Sequence, residues 1–400
     1  MLRRSHRLRP DTIHHMPQRD KNPQNHFLTL DCARGLAALA VVGYHMHWYD
    51  GIDYAGPGGA RYFSHAFLAV DLFFLMSGFV IARSYEARLR AGTMGFGRFV
   101  QARVIRLYPL YLLGLAGGVV FWATSPAAPQ VGSVWASLAL GAAFLPKLSD
   151  FGPDAWFYPF NGVAWSLGFE LAVNLVFAGL LAHLPTRQLA ALCAAAASIF
   201  LACGIIHDSF DIGYRPSQLG EGFARVCASF IAGQILFRCQ DAGFLPKISI
   251  SAGVQVLALG LLLVAMPAEA LGLGYDVTML AFVFPVFVIA ACQTVPAPRL
   301  QPLFGHMGRL SYAIYILHRP LCYGCASAWL TVSGRPIADF PVAGGLAVIG
   351  TVLAVAFVAT AVFDEPVRRA LTGFFDSKGA QRHESPVADF SHPAIPGQAR

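Results

Sequence analysis

The sequence has too few charged residues for a soluble protein. Of its 400 residues only 13% are Asp, Glu, Lys or Arg, whereas 56% are hydrophobic. A soluble domain covers its surface with about 25% charged residues. The apolar runs are also as long as those that cross a bilayer. These properties exclude a soluble enzyme and predict an integral membrane protein whose main partner is the lipid bilayer.

The chain also lacks a regular spacing of metal ligands. Its eight cysteines fall mostly within apolar runs, where cysteine behaves as a small hydrophobic residue. Cys322 and Cys325 form a CxxC, but no second Cys/His pair of suitable spacing accompanies them. We therefore expect neither a disulfide framework nor a bound metal. The sequence contains no internal repeat, and it does not indicate an oligomeric state.

Apolar runs predict an all-α bundle of about ten transmembrane helices. The predicted spans are residues 28–48, 66–82, 107–124, 163–183, 188–206, 221–237, 249–266, 275–292, 310–330 and 341–363. A shorter run at 132–146 is predicted to be either an eleventh span or a re-entrant segment. The membrane domain covers residues 27–370, between a polar basic tail at 1–26 and a tail at 371–400 that we expect to be disordered.

The basic residues are concentrated on one side of these spans. Of the 29 Lys and Arg residues, 22 fall in the two tails or in connections on the same side. The opposite connections hold Arg61, Lys147, Arg215 and Arg335. The positive-inside rule therefore predicts that both termini are cytoplasmic. This asymmetry accounts for the net charge of +7 without nucleic acid as a partner.

Ionisable residues interrupt the first span, "LDCARGLAALAVVGYHMHW". An arginine in such a stretch costs about 2.5–3.5 kcal/mol on insertion scales. Arg34 and His45 share one helix face and lie roughly 16 Å apart along its axis. Asp31 is one turn from Arg34 and is spaced to pair with it. Two interpretations remain open: the face lines a site inside the bundle, or each side chain reaches the nearest headgroups.

Other spans carry polar side chains as well. Asp71 begins the second span and needs a partner there. Arg103 and Arg106 are one turn apart at the start of the third span, with Arg98 just before them. Two arginines at this spacing can grip a phosphate, although an anchor for lipid headgroups explains them equally well.

Two later spans carry polar stripes. Ser166, Glu170 and Asn174 share one face of the fourth span, and Ser311, Tyr315 and His318 share one face of the ninth. Glu170 is a functional candidate by its position, with a structural pair to Arg34 as the alternative. Glu221 and Arg225 are spaced to form an ion pair at the start of the sixth span.

Six segments, in this order, resemble acyltransferase family 3, a family of bacterial inner-membrane proteins that O-acylate surface glycans and related molecules. They run from residue 28 to about residue 369 and read "LDCARGLAALAVVGYHMHW", "AVDLFFLMSGFVI", "RFVQARVIRLYPLYLL", "AWSLGFE", "MGRLSYAIYILH" and "FDEPVRR". The resemblance implies a bundle of about ten helices, acetyl-CoA or another acyl-CoA as donor, and a hydroxyl as acceptor.

The family's functional residues fall on particular positions of this sequence. Its arginine and histidine of the first helix match Arg34 and His45, and its RxxR matches Arg103 and Arg106. The acid after its WSL matches Glu170. The sequence departs from many members by having Leu171 in place of a second acid.

Residues and resemblance together predict a membrane O-acetyltransferase of the bacterial inner membrane. It would transfer acetyl from acetyl-CoA, a substrate rather than a permanently bound cofactor, to a hydroxyl of a surface or lipid-linked glycan. We expect His45 to be the general base. Arg34 would orient donor or base or stabilise developing charge, and Glu170 would orient His45 or pair with Arg34.

Further residues are assigned to binding. We expect Arg98, Arg103 and Arg106 to hold the phosphates of the donor. The residues expected to contact substrate are Asp71, Ser166, Tyr312 and His318. The rival hypothesis is a transporter or flippase for a glycan or lipid-linked sugar, because charged residues that line a cavity in the membrane suit that function too.

Overall fold

The computed structural model describes residues 27–50, 62–124, 133–148, 156–265 and 271–383. The tail at 1–26, most of the connection predicted at 49–65 and the last residues of the chain lie outside these ranges. Within them every regular element is helical, as the apolar pattern predicts.

Fourteen α-helices make up this part of the chain. They are α1 Leu28–Asp50, α2 Ala69–Ile81, α3 Ala87–Arg90, α4 Phe96–Thr124, α5 Val134–Ala142, α6 Ala164–Gly179, α7 Thr186–Ile206, α8 Leu219–Asp241, α9 Ala252–Val264, α10 Gly272–Thr278, α11 Phe284–Cys292, α12 Gln301–Ser333, α13 Pro341–Val358 and α14 Glu365–His383. Short π-helical segments join α2 to α3, α10 to α11 and α13 to α14.

The helices are those of a multi-pass membrane protein. Six helical stretches among the described residues are long and apolar enough to cross a bilayer: Ala66–Arg90, Phe96–Thr124, Thr186–Ile206, Pro216–Asp241, Gly272–Cys292 and Pro341–Phe375. Two further apolar helices, α6 and α9, are shorter. Each of the ten predicted spans overlaps a helix. The count of ten crossings and the cytoplasmic orientation of the termini stay predictions.

Three boundaries differ from the predicted ones. Helix α5 has nine residues and is about 14 Å long, so it cannot cross a hydrocarbon core of about 30 Å as an eleventh span. Helix α4 begins at Phe96, before the predicted residue 107, and therefore carries the arginines of the third span itself. Helix α14 continues to His383, so residues 371–383 are helical, whereas the sequence predicts disorder from residue 371.

The most extensive contact between two of the described helices joins α1 and α12. These two helices run parallel, because Asp31 meets Gly308 at one end and His45 meets His318 further along. A Cβ added to Gly308 would lie 2.5 Å from the Cβ of Asp31. At Gly35 an added Cβ would lie 2.7 Å from the carbonyl oxygen of Met307. The two glycines let the helix backbones approach closely, as small residues do in membrane bundles.

A buried ion pair ties α2 to α8. Arg225 donates to both carboxylate oxygens of Asp71 at 2.7–3.2 Å. The same guanidinium donates to the carbonyls of Ile212 and Phe67. Both charged side chains are essentially unexposed, at 0% and 1%. Because a buried charge needs a partner, this pair supplies the one that Asp71 requires.

The Asp71–Arg225 pair corrects two predictions. Asp71 is predicted to contact substrate, but both of its oxygens are engaged by Arg225. Arg225 is predicted to pair with Glu221, which instead lies 3.8 Å from His207 and is partly exposed. The fully buried carboxylate on the neighbouring helix takes the arginine because it has no solvent to stabilise it.

Candidate active site

Two histidines from neighbouring helices meet inside the bundle. His45 lies toward the C-terminal end of α1 and His318 lies in the middle of α12. The Nε2 atom of His318 is 3.0 Å from Nδ1 of His45, and the ring centroids are 5.0 Å apart. His318 is fully buried, whereas His45 is partly exposed. The packing of α1 on α12 therefore makes an imidazole pair from residues far apart in the chain.

Nearby carbonyl groups indicate where the neutral rings carry their protons. Nδ1 of His318 is 2.6 Å from the carbonyl of Tyr315, which only accepts, so Nδ1 is the donor. Nε2 of His318 is then an acceptor. Nδ1 of His45 faces that Nε2 and also the carbonyl of Val41 at 3.0 Å, so it carries the proton. On this assignment the lone pair of His45 is on Nε2, the atom that can remove a proton.

A cation lies beside the histidine pair. Arg319 follows His318 on α12 and is 8% exposed. Its guanidinium donates to the hydroxyl of Tyr323 at 3.1 and 3.2 Å and lies over the ring of Trp156 at 4.6 Å. Its charge acts on both imidazoles. A fixed guanidinium next to a potential base is an arrangement that can stabilise a developing anion.

The connection between α7 and α8 adds a carboxyl group at the same end of α1. The hydroxyl of Tyr44 donates to Oδ2 of Asp211 at 2.6 Å, and the Tyr44 ring is 5.3 Å from that of His45. Desolvation raises the pKa of Asp211 above its usual range, and the charge of Arg225 opposes that rise. This hydrogen bond holds Tyr44 against His45.

Four arginines gather toward the other end of α1. The charges that act on Arg106 include those of Arg34, Arg103 and Arg368, which come from α1, α4 and α14. We call Arg34, Arg103, Arg106 and Arg368 the arginine cluster. Because Arg34 is eleven residues before His45 on α1, the cluster lies roughly 16 Å along the helix from the histidine pair.

Three members of the arginine cluster have carboxylate partners. Arg34 contacts Asp31 at 3.0 Å, Arg103 contacts Glu170 at 3.1 Å, and Arg368 contacts Asp364 at 3.1 Å; these distances join the guanidinium nitrogens to carboxylate oxygens. Arg106 makes no hydrogen bond or ion pair to the residues that the structure describes. The cluster thus has a surplus positive charge, which suits an anionic ligand.

The position of Glu170 corrects its predicted partners. Its Oε1 atom accepts hydrogen bonds from Arg103 and, at 2.7 Å, from the hydroxyl of Ser77. The sequence predicts a contact with His45 or with Arg34. Helix α6 instead turns Glu170 toward α4 and α2, so the carboxylate belongs to the arginine cluster rather than to the histidine pair.

Three other predicted site residues have different surroundings. Ser166 is buried, with its Oγ atom 2.7 Å from the hydroxyl of Tyr315. Tyr312 donates to the carbonyl of Leu107 at 2.6 Å and ties α12 to α4. Arg98 is exposed in the first turn of α4. Ser166 and Tyr312 are therefore bonded to other helices, which is the role of a structural polar residue in a membrane bundle.

Comparison with known proteins decides the family. The family described as "Acyltransferase domain" matches residues 27–359, which include the histidine pair and most of the arginine cluster. The chain belongs to this acyltransferase family. As a member it is an acyltransferase, and the transporter hypothesis has no support from the comparisons.

Three relatives show how far the similarity extends. "Protein 2 in picA locus" of Rhizobium radiobacter is 33% identical over 45% of this chain and 96% of its own length. "Acyltransferase MdmB" of Streptomyces mycarofaciens is 28% identical over 82% of this chain and 86% of its own. "Exopolysaccharide production protein ExoZ" of Rhizobium meliloti is 24% identical over 72% and 86%, respectively. No solved structure gives a significant match.

Sequence reasoning missed parts of the site of this acyltransferase. It assigned His318 to substrate contact, whereas the structure makes it the neighbour of His45. It gave no role to Arg319, beside the histidine pair, or to Arg368, in the arginine cluster. Arg319 directly follows the segment "MGRLSYAIYILH", and Arg368 lies within "FDEPVRR". The resemblance to the family therefore pointed to these two positions, whereas residue spacing did not.

Proposed function

We propose that this acyltransferase transfers an acyl group from acyl-CoA to a hydroxyl group of a glycan. The observation that carries the proposal is the division of the site into an arginine cluster and a histidine pair. The two lie at different depths along α1, roughly 16 Å apart. Acyl-CoA has the same division, with its phosphates and its thioester at opposite ends of a long pantetheine arm.

The arginine cluster supports a phosphate-bearing donor. Arg106 has no ion-pair partner in the described part of the chain, and the charges of Arg34, Arg103 and Arg368 act on it. Guanidinium groups bind phosphate oxygens in a planar, bidentate geometry. On the predicted topology this cluster lies toward the cytoplasm, where acyl-CoA is found. Acetyl-CoA is the first donor to test.

The histidine pair supplies the base. Nε2 of His45 removes the proton of the acceptor hydroxyl as its oxygen attacks the thioester carbonyl carbon. The C–S bond then breaks, and the proton on His45 passes to the departing CoA thiolate. His318 keeps the His45 ring in the orientation and tautomer that place the lone pair on Nε2.

Arg319 takes over the role predicted for Arg34 at the carbonyl oxygen. A side chain near the start of α1 cannot reach an atom that His45 touches, because the helix separates them by roughly 16 Å. Arg319 lies beside the histidine pair and carries the positive charge needed there. We therefore assign Arg34 to donor binding and Arg319 to stabilising the negative oxygen of the tetrahedral intermediate.

The relatives support a glycan acceptor on the outer side of the inner membrane. One of them is named for exopolysaccharide production, and the partly exposed His45 lies near the end of α1 that the charge asymmetry places outward. An acceptor there is assembled outside the cytoplasm. The acyl group would then pass from a donor on the cytoplasmic side to an acceptor on the outer side of the membrane.

The proposal is tested by mass spectrometry of surface polysaccharides from cells with and without this protein. We expect a mass difference of one acyl group for each modified sugar, and its size identifies the acyl chain. Membranes supplied with labelled acyl-CoA should transfer the label to the same polysaccharide. Identical polysaccharides in the two strains, with no transfer of label in membranes, would contradict the proposed function.

A further inference from the structure

A polar cavity lies near the histidine pair. It has a volume of about 420 Å³ and is formed by the segment before α2, the turn after α7 and the start of α10. We call it the His65 cavity. Its lining includes His65, Phe67, Asp208, Ser209, Leu273 and Asp276. The volume falls within the range of about 300–1,000 Å³ that is usual for small-molecule sites.

A carboxylate orients the histidine of this cavity. Nδ1 of His65 is 2.5 Å from Oδ1 of Asp276, whose side chain is 3% exposed. A carboxylate on Nδ1 leaves Nε2 of the neutral ring as an acceptor. Nε2 has no hydrogen-bond partner among the residues described, and about a fifth of the His65 side chain is exposed. His65 is therefore an oriented acceptor at the wall of the cavity.

Aromatic rings separate the His65 cavity from the histidine pair. The Phe67 ring is 5.8 Å from the His65 ring and 5.9 Å from the Tyr44 ring, which in turn packs on His45. A ligand in the cavity is thus close to His45 without touching it. A sugar bound there would therefore be a different unit of a polymeric substrate from the one that reacts at His45.

The charges of the cavity select against anions. Asp208 and Asp276 line it, and neither arginine nor lysine is among the described residues that line it. Carboxylates, Ser209 and Nε2 of His65 accept hydrogen bonds, while Phe67 and Leu273 supply apolar surface. A sugar ring offers hydroxyl donors together with an apolar face. A sugar that carries a carboxylate or phosphate would be repelled.

We propose that the His65 cavity binds an uncharged sugar unit of the glycan near the one that is acylated. This inference rests on the proposed glycan acceptor and adds to it a subsite and a preference against acidic sugars. The subsite would set which glycan is modified, and where along it, without taking part in the chemical step.

A cavity-filling substitution tests the proposal with little risk to folding. Gly272 lines the cavity at the first residue of α10, and a Cβ added there meets no atom within 4 Å. Gly272→Phe therefore adds a bulky ring at the wall of the cavity without a steric clash at its Cβ atom. Gly220→Phe is the matched control, because Gly220 is in the first turn of α8, meets open space and does not line the cavity. Asp208→Asn is a second variant, on an exposed side chain.

Sugar binding is measured directly on the full-length protein in nanodiscs. Saturation-transfer NMR is recorded with the methyl glycosides of glucose, galactose and mannose and with methyl glucuronide. We expect transfer to at least one neutral glycoside and none to the glucuronide. Gly272→Phe should weaken that binding at least about tenfold, or about 1.4 kcal/mol. Asp208→Asn should weaken it less, and Gly220→Phe should leave it unchanged.

Three results would overturn the proposal: no transfer to any neutral glycoside, equal transfer to the glucuronide, or unchanged binding in Gly272→Phe. The same samples are assayed for acyl transfer from labelled acyl-CoA, which separates the two inferences. Sugar binding that depends on Gly272, without any acyl transfer, removes the proposed function and leaves the subsite. Acyl transfer with no such binding removes the subsite alone.

Discussion

Alanine substitutions at His45 and at His318 should reduce acyl transfer to different extents. His45→Ala removes the proposed base, so acyl transfer should fall by about 10²–10⁴-fold, the usual contribution of a general base. His318→Ala removes only the partner that orients it. That partner makes one hydrogen bond of 3.0 Å to His45. The two variants should therefore differ in severity.

The expected loss of acyl transfer in His318→Ala follows from the strength of its hydrogen bond to His45. A neutral hydrogen bond contributes about 0.5–1.5 kcal/mol. At 1.36 kcal/mol for each factor of ten, its loss slows transfer by about 2- to 13-fold. The carbonyl of Val41 still accepts from Nδ1 of His45 at 3.0 Å and keeps the proton on that nitrogen. Partial activity in His318→Ala is thus the expected result.

The assay is transfer of labelled acyl groups in membranes at matched expression, with donor binding measured separately. His47→Ala is the internal control, since His47 lies roughly 200° around α1 from His45 and should tolerate the change. Both active-site variants should bind acyl-CoA normally. A greater loss in His318→Ala than in His45→Ala would refute the assignment of the base, and an inactive His47→Ala would refute the helix face.

Three further predictions concern the donor, the fold and the topology. Arg106→Gln should raise the KM for acyl-CoA at least about tenfold with normal expression, because hydrogen bonds to charged groups contribute roughly 1.5–3 kcal/mol. An unchanged KM would mean that Arg106 anchors lipid headgroups instead. Asp71→Asn should destabilise the protein in thermal unfolding by about 3–5 kcal/mol by leaving Arg225 uncompensated, unlike the exposed control Asp339→Asn. Reporters fused at residue 400 and near residue 55 should report cytoplasm and exterior respectively, and a cytoplasmic signal near 55 would reverse the orientation.

The sequence by itself determined the helices and the faces within each of them. The length and composition of an apolar run are local properties, so all ten predicted spans overlap helices. The 3.6-residue period of a helix is also a local property. It places Arg34 and His45 on one face of α1, roughly 16 Å apart along its axis. The spacing of Asp31 and Arg34 similarly anticipated their ion pair, which the structure shows at 3.0 Å.

Only the tertiary structure decided which residues of different helices meet. Arg225 pairs with Asp71 across two helices rather than with Glu221 on its own, and Glu170 joins Arg103 rather than Arg34 or His45. Spacing along a chain fixes distances within a helix but says nothing of how that helix is rotated against its neighbours. The rotation is set by close packing at small residues and by the need of every buried charge for a partner. These contacts bring His318 to His45 and complete the site.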